Sequence, residues 1–337
     1  MATHDQSETD PARVQAGAVG MQNTLRYTDW QAICVIFRLW RRQGVRLFVG
    51  VLLALAALAC GLALMQVSGV RLAGCVLGEV VITTALLRWV GAGRVTLRYA
   101  ERLFAHDAMF RALADLRVWF FHSLAHGAAA GLGFRRAGDM LSRLVSDIGA
   151  LDGLYLRIVL PLLCACLTFP ALLVIVGRQS VLLGAGVGLL FACASFLVPW
   201  LIARSGRKSA EQTAHLLAHL RISVLDLVGG LREIRAFGAE GRMLARVQAA
   251  DAALLHGQMG MARRAAFANA LAFLFGQIAI FLVLLAIGGI VLPRLGALEG
   301  VSVLFLTVAA FESAVLLTRA GLQAGIMGAS ARRVVEM

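Results

Sequence analysis

Residues 98–121, RYAERLFAHDAMFRALADLRVWFF, place Arg, Glu, His and Asp at helical spacing directly after a long apolar run. At about 100° per residue, Arg98, Arg102, His106 and Met109 fall within an arc of about 80°. Asp107, Arg111, Asp115 and Glu101 are assigned to the far side, where Arg111 can pair with Asp107 and Asp115 at i±4. The first face then carries two guanidiniums, an imidazole and a thioether with no acid of its own. Such a face invites an anion. Guanidiniums grip carboxylates through paired hydrogen bonds. An imidazole can ligate haem iron while arginines hold the propionates. The alternative is that Arg98 and Arg102 contact lipid phosphates and His106 faces a neighbouring helix.

Other groups offer less chemistry. His122/His126 and His215/His219 have the i,i+4 spacing of a helical metal site, but neither quartet contains a carboxylate. All seven histidines (4, 106, 122, 126, 215, 219, 256) lie outside the apolar runs. That argues against a membrane redox enzyme holding haem between its spans. Glu79, Glu312, Arg88 and Arg319 are charged at membrane depth, where such groups face a cavity or one another. Arg88 and Glu312 are therefore candidate cavity-lining residues. The six cysteines form no CxxC and fall mostly in apolar runs, so they are expected to be small buried hydrophobes.

The elements that must position these residues are transmembrane helices. The chain is 60% hydrophobic, its mean hydropathy is +0.80, and several apolar runs exceed the length needed to cross a bilayer. Alternating strands of a β-barrel are absent from the pattern. The fold class is an all-α membrane protein with six spans, near 45–67, 71–95, 155–177, 180–203, 265–292 and 299–321. Residues 1–27 are polar, lack a signal-peptide apolar core, and read as a disordered cytoplasmic tail. Residues 28–44 read as an interfacial elbow helix, with Trp30, Ile33, Phe37 and Trp40 on one face and Arg38, Arg41 and Arg42 following. The six-span domain covers 45–325, and 326–337 begins a linker.

The net charge of +13 comes almost entirely from arginine; Lys208 is the single lysine. Most of it sits in two long connections, about 96–154 and 204–264. That is the positive-inside signature of a multi-pass protein with cytoplasmic termini rather than of a nucleic-acid partner. Both connections keep helical patterning. At 1.5 Å per residue, residues 98–122 extend the second span by nearly 40 Å beyond the bilayer. The charges begin where lipid ends. Each projection turns at a glycine-rich point, 126–139 and 227–242, where a short crosswise helix could receive force from a soluble partner.

Two such hairpins in a six-span chain resemble the transmembrane domain of an ABC exporter. RRAGDMLSRLVSDIGALDGLY resembles the first intracellular loop of those exporters, GGLREIRAFGAEGR the second coupling helix, and ASARRVVEM the passage into a nucleotide-binding domain. Within the superfamily, residues 98–121 together with LDGLYLRIVLP resemble the CydC-type subunits of CydDC exporters.

The resemblance implies a bacterial inner-membrane heterodimer with a CydD-like subunit, required for cytochrome bd assembly and moving haem, cysteine or glutathione. It implies ATP on an associated nucleotide-binding domain. It implies haem contact by His106 as iron ligand and by Arg102; the helical projection adds Arg98 and Met109 to the same candidate face. It implies coupling through Gly131 and Phe134 at one tip, and through Gly229, Gly230, Glu233, Phe237 and Glu240 at the other. One departure stands out. The sequence has no GxxxxGK[ST], and Lys208 in SGRKSA lacks the adjacent glycine a phosphate loop needs. The expectation is an ATPase half on another chain or lost by truncation. In the latter case the chain would be a non-transporting scaffold or a haem-sensing subunit.

Overall fold

The computed structural model describes residues 28–78, 83–129, 148–151, 153–290 and 295–335. Gly131, Phe134, Glu79, the 1–27 tail and the end of the linker lie outside these described residues.

Helix α1 (Asp29–Leu39) starts at a capping box, in which Thr28 and Gln31 bond each other's backbone N–H groups. A 3₁₀ turn, Trp40–Gln43, leads into α2 (Gly44–Leu77). Helix α3 (Thr84–Ala129) runs unbroken for 46 residues, about 70 Å. A π-helical turn, Leu154–Val159, opens α4 (Leu160–Gly177). Ser180 caps α5 (Val181–Ala192), which passes through a second π turn, Cys193–Leu197, into α6 (Val198–Gly229). The six-residue α7 (Leu231–Ala236) precedes α8 (Glu240–Ile287) and α9 (Ala297–Val335).

Five stretches are long and apolar enough to cross a membrane: Gln31–Leu77, Ile148–Gly177, Val181–Gly206, Glu240–Ile287 and Ala297–Gly325. Helix α3 is outside that set because Arg88, Arg94 and Arg98 fall within its first fifteen residues. The expected turn between the first two spans, near 68–71, is not there. Helix α2 continues through Ser68 and Gly69 and ends at Gly78, whose φ of +76° is one that glycine alone adopts without strain. Gly69 is a point of close helix contact instead. A Cβ there would sit 2.8 Å from the backbone of Ser302 in α9.

Helix α9 touches most of the molecule, packing on α2, α6 and α8. One core joins Ile36 of α1, Trp40 of the 3₁₀ turn, Met109 and Leu116 of α3, and Met327 and Ala331 of α9. A second joins Leu172, Val187, Val283 and Leu306 of α4, α5, α8 and α9. Large side chains such as Leu189 and Phe281 point outward, as lipid-facing helices require. Two expectations are corrected. Trp40 is not on an outward elbow face; it is buried with Ala32 and Ile36, one helical turn apart, against α3 and α9. The cysteines are not buried: Cys34, Cys75 and Cys166 are exposed, and Cys60, Cys164 and Cys193 partly so.

Candidate functional site

The arginine face of α3 opens into a cavity of about 480 Å³ between α2, α3, the α4 entry and α9, a size typical of ligand sites. Arg98, Arg102 and His106 line it from α3, one helical turn apart. Arg157 enters from the π turn before α4, and Arg319 and Gln323 from α9. Extra-residue π turns recur at functional sites because they re-aim side chains. Arg157 and Gln323 meet across the wall, Nη1 to Oε1 3.5 Å. Among the described residues, neither Arg102, Arg157 nor Arg319 forms an ion pair with an acid.

The face is not free of acid, as the helical projection had it. Glu101 stands at i+3 from Arg98, its carboxylate oxygen 3.6 Å from the Arg98 Nε, and it lines the same cavity. Its residue is only 5% exposed. At i+3 a side chain lies only about 60° from its neighbour on the helical wheel, so Glu101 belongs to the edge of the arginine face. On the opposite side, Arg111 donates from Nε to both Asp107 oxygens at 3.0 and 2.9 Å. Asp115 does not complete that pattern; it accepts from Gln43 Nε2 at 2.9 Å. The Arg111 hydrogen bond pulls the Asp107 carboxyl below its ordinary range.

Met109 leaves the set. It is 1% exposed, packed in the core with Ala105 and Ala112, and does not reach the cavity. Arg88 is solvent- or lipid-exposed near the start of α3 and lines none of the described cavities. Glu312 does line one, an adjoining space of about 270 Å³ shared with Arg94 and Arg98. Gly61 opposite leaves room for Arg94: a Cβ there would lie 3.3 Å from its Nε. Arg94, Glu101, Arg157 and Gln323 were not singled out by helical spacing. Arg157 and Gln323 lie on helices far away in sequence, and no local pattern marks them.

The donor set suits an anionic or zwitterionic ligand. The same residues could hold haem: His106 would ligate its iron, and Arg102, Arg157 or Arg319 would pair with its propionates, while Met109, buried in the core, would not reach it. Among the described residues, no three His, Cys, Asp or Glu side chains converge on a metal-sized site.

At the far end of α6 and α8, α7 lies between Gly229–Gly230 and Gly238, the latter at φ +56°. Ile234 is buried at this tip, while Glu233, Phe237 and Glu240 are exposed, Phe237 by 80%.

A family model described as the ABC transporter transmembrane region matches residues 79–311. The chain is 30% identical over 319 residues to the Glutathione/L-cysteine transport system ATP-binding/permease protein CydC of Escherichia coli, covering 91% of this chain and 55% of that protein. It is 28% identical over 315 residues to the protein of the same name from Haemophilus influenzae, covering 89% and 54%. Over 94 residues it is 32% identical to the CydD counterpart of Bacillus subtilis, covering 28% and 16%. The chain thus spans about half the length of the curated CydC relatives it matches.

Proposed function

The chain belongs to the ABC transporter transmembrane region family, and from that premise we propose that it is the membrane subunit of a heterodimeric, ATP-driven exporter of the CydDC type. In this reading it sits in a bacterial inner membrane with both termini cytoplasmic and serves cytochrome bd assembly. It moves haem, cysteine or glutathione, working with a homologous CydD-like subunit and nucleotide-binding domains that hold ATP. The observation that carries the reading is the cavity. Arg98, Arg102, His106, Arg157 and Arg319 converge on one half-open cavity beside the apolar helices.

Helix α3 counts as the sixth crossing on this view. Arg98 and Arg102 lie past the lipid end of that crossing and line the cavity, so neither guanidinium carries the cost of charge at membrane depth. The guanidiniums hold the cargo's carboxylates, and His106 holds haem iron where haem is the cargo. Leu58, Leu156 and Leu316 line the same space and lower the local polarity, so each ion pair counts for more than on open surface. The α7 tip docks on an ATPase domain, and rigid α6 and α8 carry its displacement to the cavity.

The test is a haem titration of the purified complex followed by absorbance, comparing wild type with His106→Ala. A shifted Soret band that disappears in the variant makes His106 the iron ligand. An unshifted band, or one the variant retains, removes haem from this site and leaves thiol cargo as the reading.

A further inference from the structure

We infer that Glu101 forms an ammonium subsite within this cavity, so that the site selects cargo carrying a free amine beside its carboxylates. The inference rests on the reading of the cavity as the cargo site and narrows the class of cargo it takes.

Glu101 is the acid among four guanidiniums that line the same space. It is more than nine-tenths buried, and one of its carboxylate oxygens is sealed from solvent and makes no hydrogen bond. Arg98 stands 3.6 Å away, outside hydrogen-bonding distance, and its own side chain is more than half exposed. The pair is therefore loose. A buried carboxylate left short of donors is costly, and the cost persists until a donor arrives.

For a cargo that is only anionic, a carboxylate in this position is a liability, since it repels the ligand the arginines attract. An ammonium group reverses the sign. It pairs with the Glu101 carboxylate at the cavity wall and frees Arg98 to join Arg102, Arg157 and Arg319 on the cargo's carboxylates. Amino acids and small peptides with a free α-amine meet both demands; N-acylated or purely dicarboxylic molecules do not. The same logic separates two cargo types: haem, with two carboxylates and no amine, gains nothing from Glu101.

The experiment measures equilibrium binding of L-cysteine and of N-acetyl-L-cysteine to the purified complex, wild type and Glu101→Gln. The wild type is expected to favour the free amine by about tenfold or more, the range of one hydrogen bond to a charged group. Glu101→Gln should erase that preference by weakening L-cysteine while N-acetyl-L-cysteine binds as before or more tightly. A preference that survives in Glu101→Gln overturns the subsite, and so does a wild type that binds both ligands equally.

If Glu101→Gln loses both ligands, Glu101→Asp decides. A weakened amine affinity with unchanged N-acetyl affinity supports the subsite; two unchanged affinities overturn it. Haem binding run in parallel separates this inference from the broader reading. Haem bound without either thiol sinks the ammonium subsite alone, and failure of all three ligands removes the cargo cavity with it.

Discussion

The Tyr155 hydroxyl donates a hydrogen bond to the Leu47 carbonyl at 2.7 Å, joining the α4 entry to the first turn of α2. Gly50 makes the contact possible, because a Cβ at that position would fall 2.9 Å from the Tyr155 oxygen. The bond pins the π turn that presents Arg157. Tyr155→Phe should cost about 1 kcal/mol, a fall of roughly 2–4 °C in the unfolding midpoint. Gly50→Ala should cost more in the wild type than in the Tyr155→Phe background, where the colliding oxygen is gone. Thermal unfolding of the four-member cycle in detergent reads this coupling. Strict additivity would show that the contact is not made.

Arg102 and Arg319 face the cavity from α3 and α9, whereas Arg88 does not reach it. Arg102→Ala and Arg319→Ala should each lower affinity for an anionic thiol by about tenfold, the effect of losing one charge-assisted hydrogen bond. Arg88→Ala should leave affinity unchanged. Isothermal titration of the three variants separates them. An effect at Arg88 equal to that at Arg102 would mean that bulk positive charge, not the cavity, draws the ligand.

Asp107 and Arg111 form an exposed pair on the face of α3 turned away from the cavity. Arg111 holds the Asp107 carboxyl below its ordinary 3.8. A depressed carboxylate contributes stability above its unfolded value and loses it only as pH falls through the folded one, hence below 3.8. Asp107→Asn should therefore leave cargo binding and its pH profile near neutrality unchanged, and exposed pairs of this kind contribute little to stability. A shifted neutral-range profile in the variant would place Asp107 in the binding machinery.

The run of helices was legible because apolar length and arginine placement follow directly from the bilayer. The arginine face was legible as far as one helix can show it: Arg98, Arg102 and His106 share a side, and the cavity lies on that side. Two errors came from treating that helix alone. Met109 has the right angle, but it is buried in the core cluster with Trp40, Ala105 and Ala112. Glu101 sits at the seam of the wheel, where a projection of 60° cannot decide between neighbours; the packed α4 entry decides it. The Ser68–Gly69 pair reads as a turn in sequence because glycine marks both turns and close helix crossings. Only the position of Ser302 on α9 tells them apart. Arg157 and Gln323 needed the tertiary fold, being 166 residues apart.

The three glycines around α7 make different demands, and this yields a graded test of the coupling tip. Gly238 adopts φ +56°, so Gly238→Val strains the backbone. At Gly230 a Cβ would lie 3.0 Å from the Asp226 carbonyl, a tight fit, while at Gly229 it meets nothing within 4 Å. Phe237, 80% exposed, is a large apolar side chain at this tip. In the assembled complex, Phe237→Ala and Gly238→Val should lower cargo-stimulated ATP hydrolysis several-fold while haem or thiol affinity at the cavity stays within error. Gly229→Ala should behave as wild type. The split matters, because a tip that transmits force changes coupling without changing the distant site, whereas a misfolded helix pair damages both. ATPase rate and cargo affinity measured on the same preparations distinguish these outcomes. Normal stimulation in Phe237→Ala would remove the tip from the path between ATP and cavity.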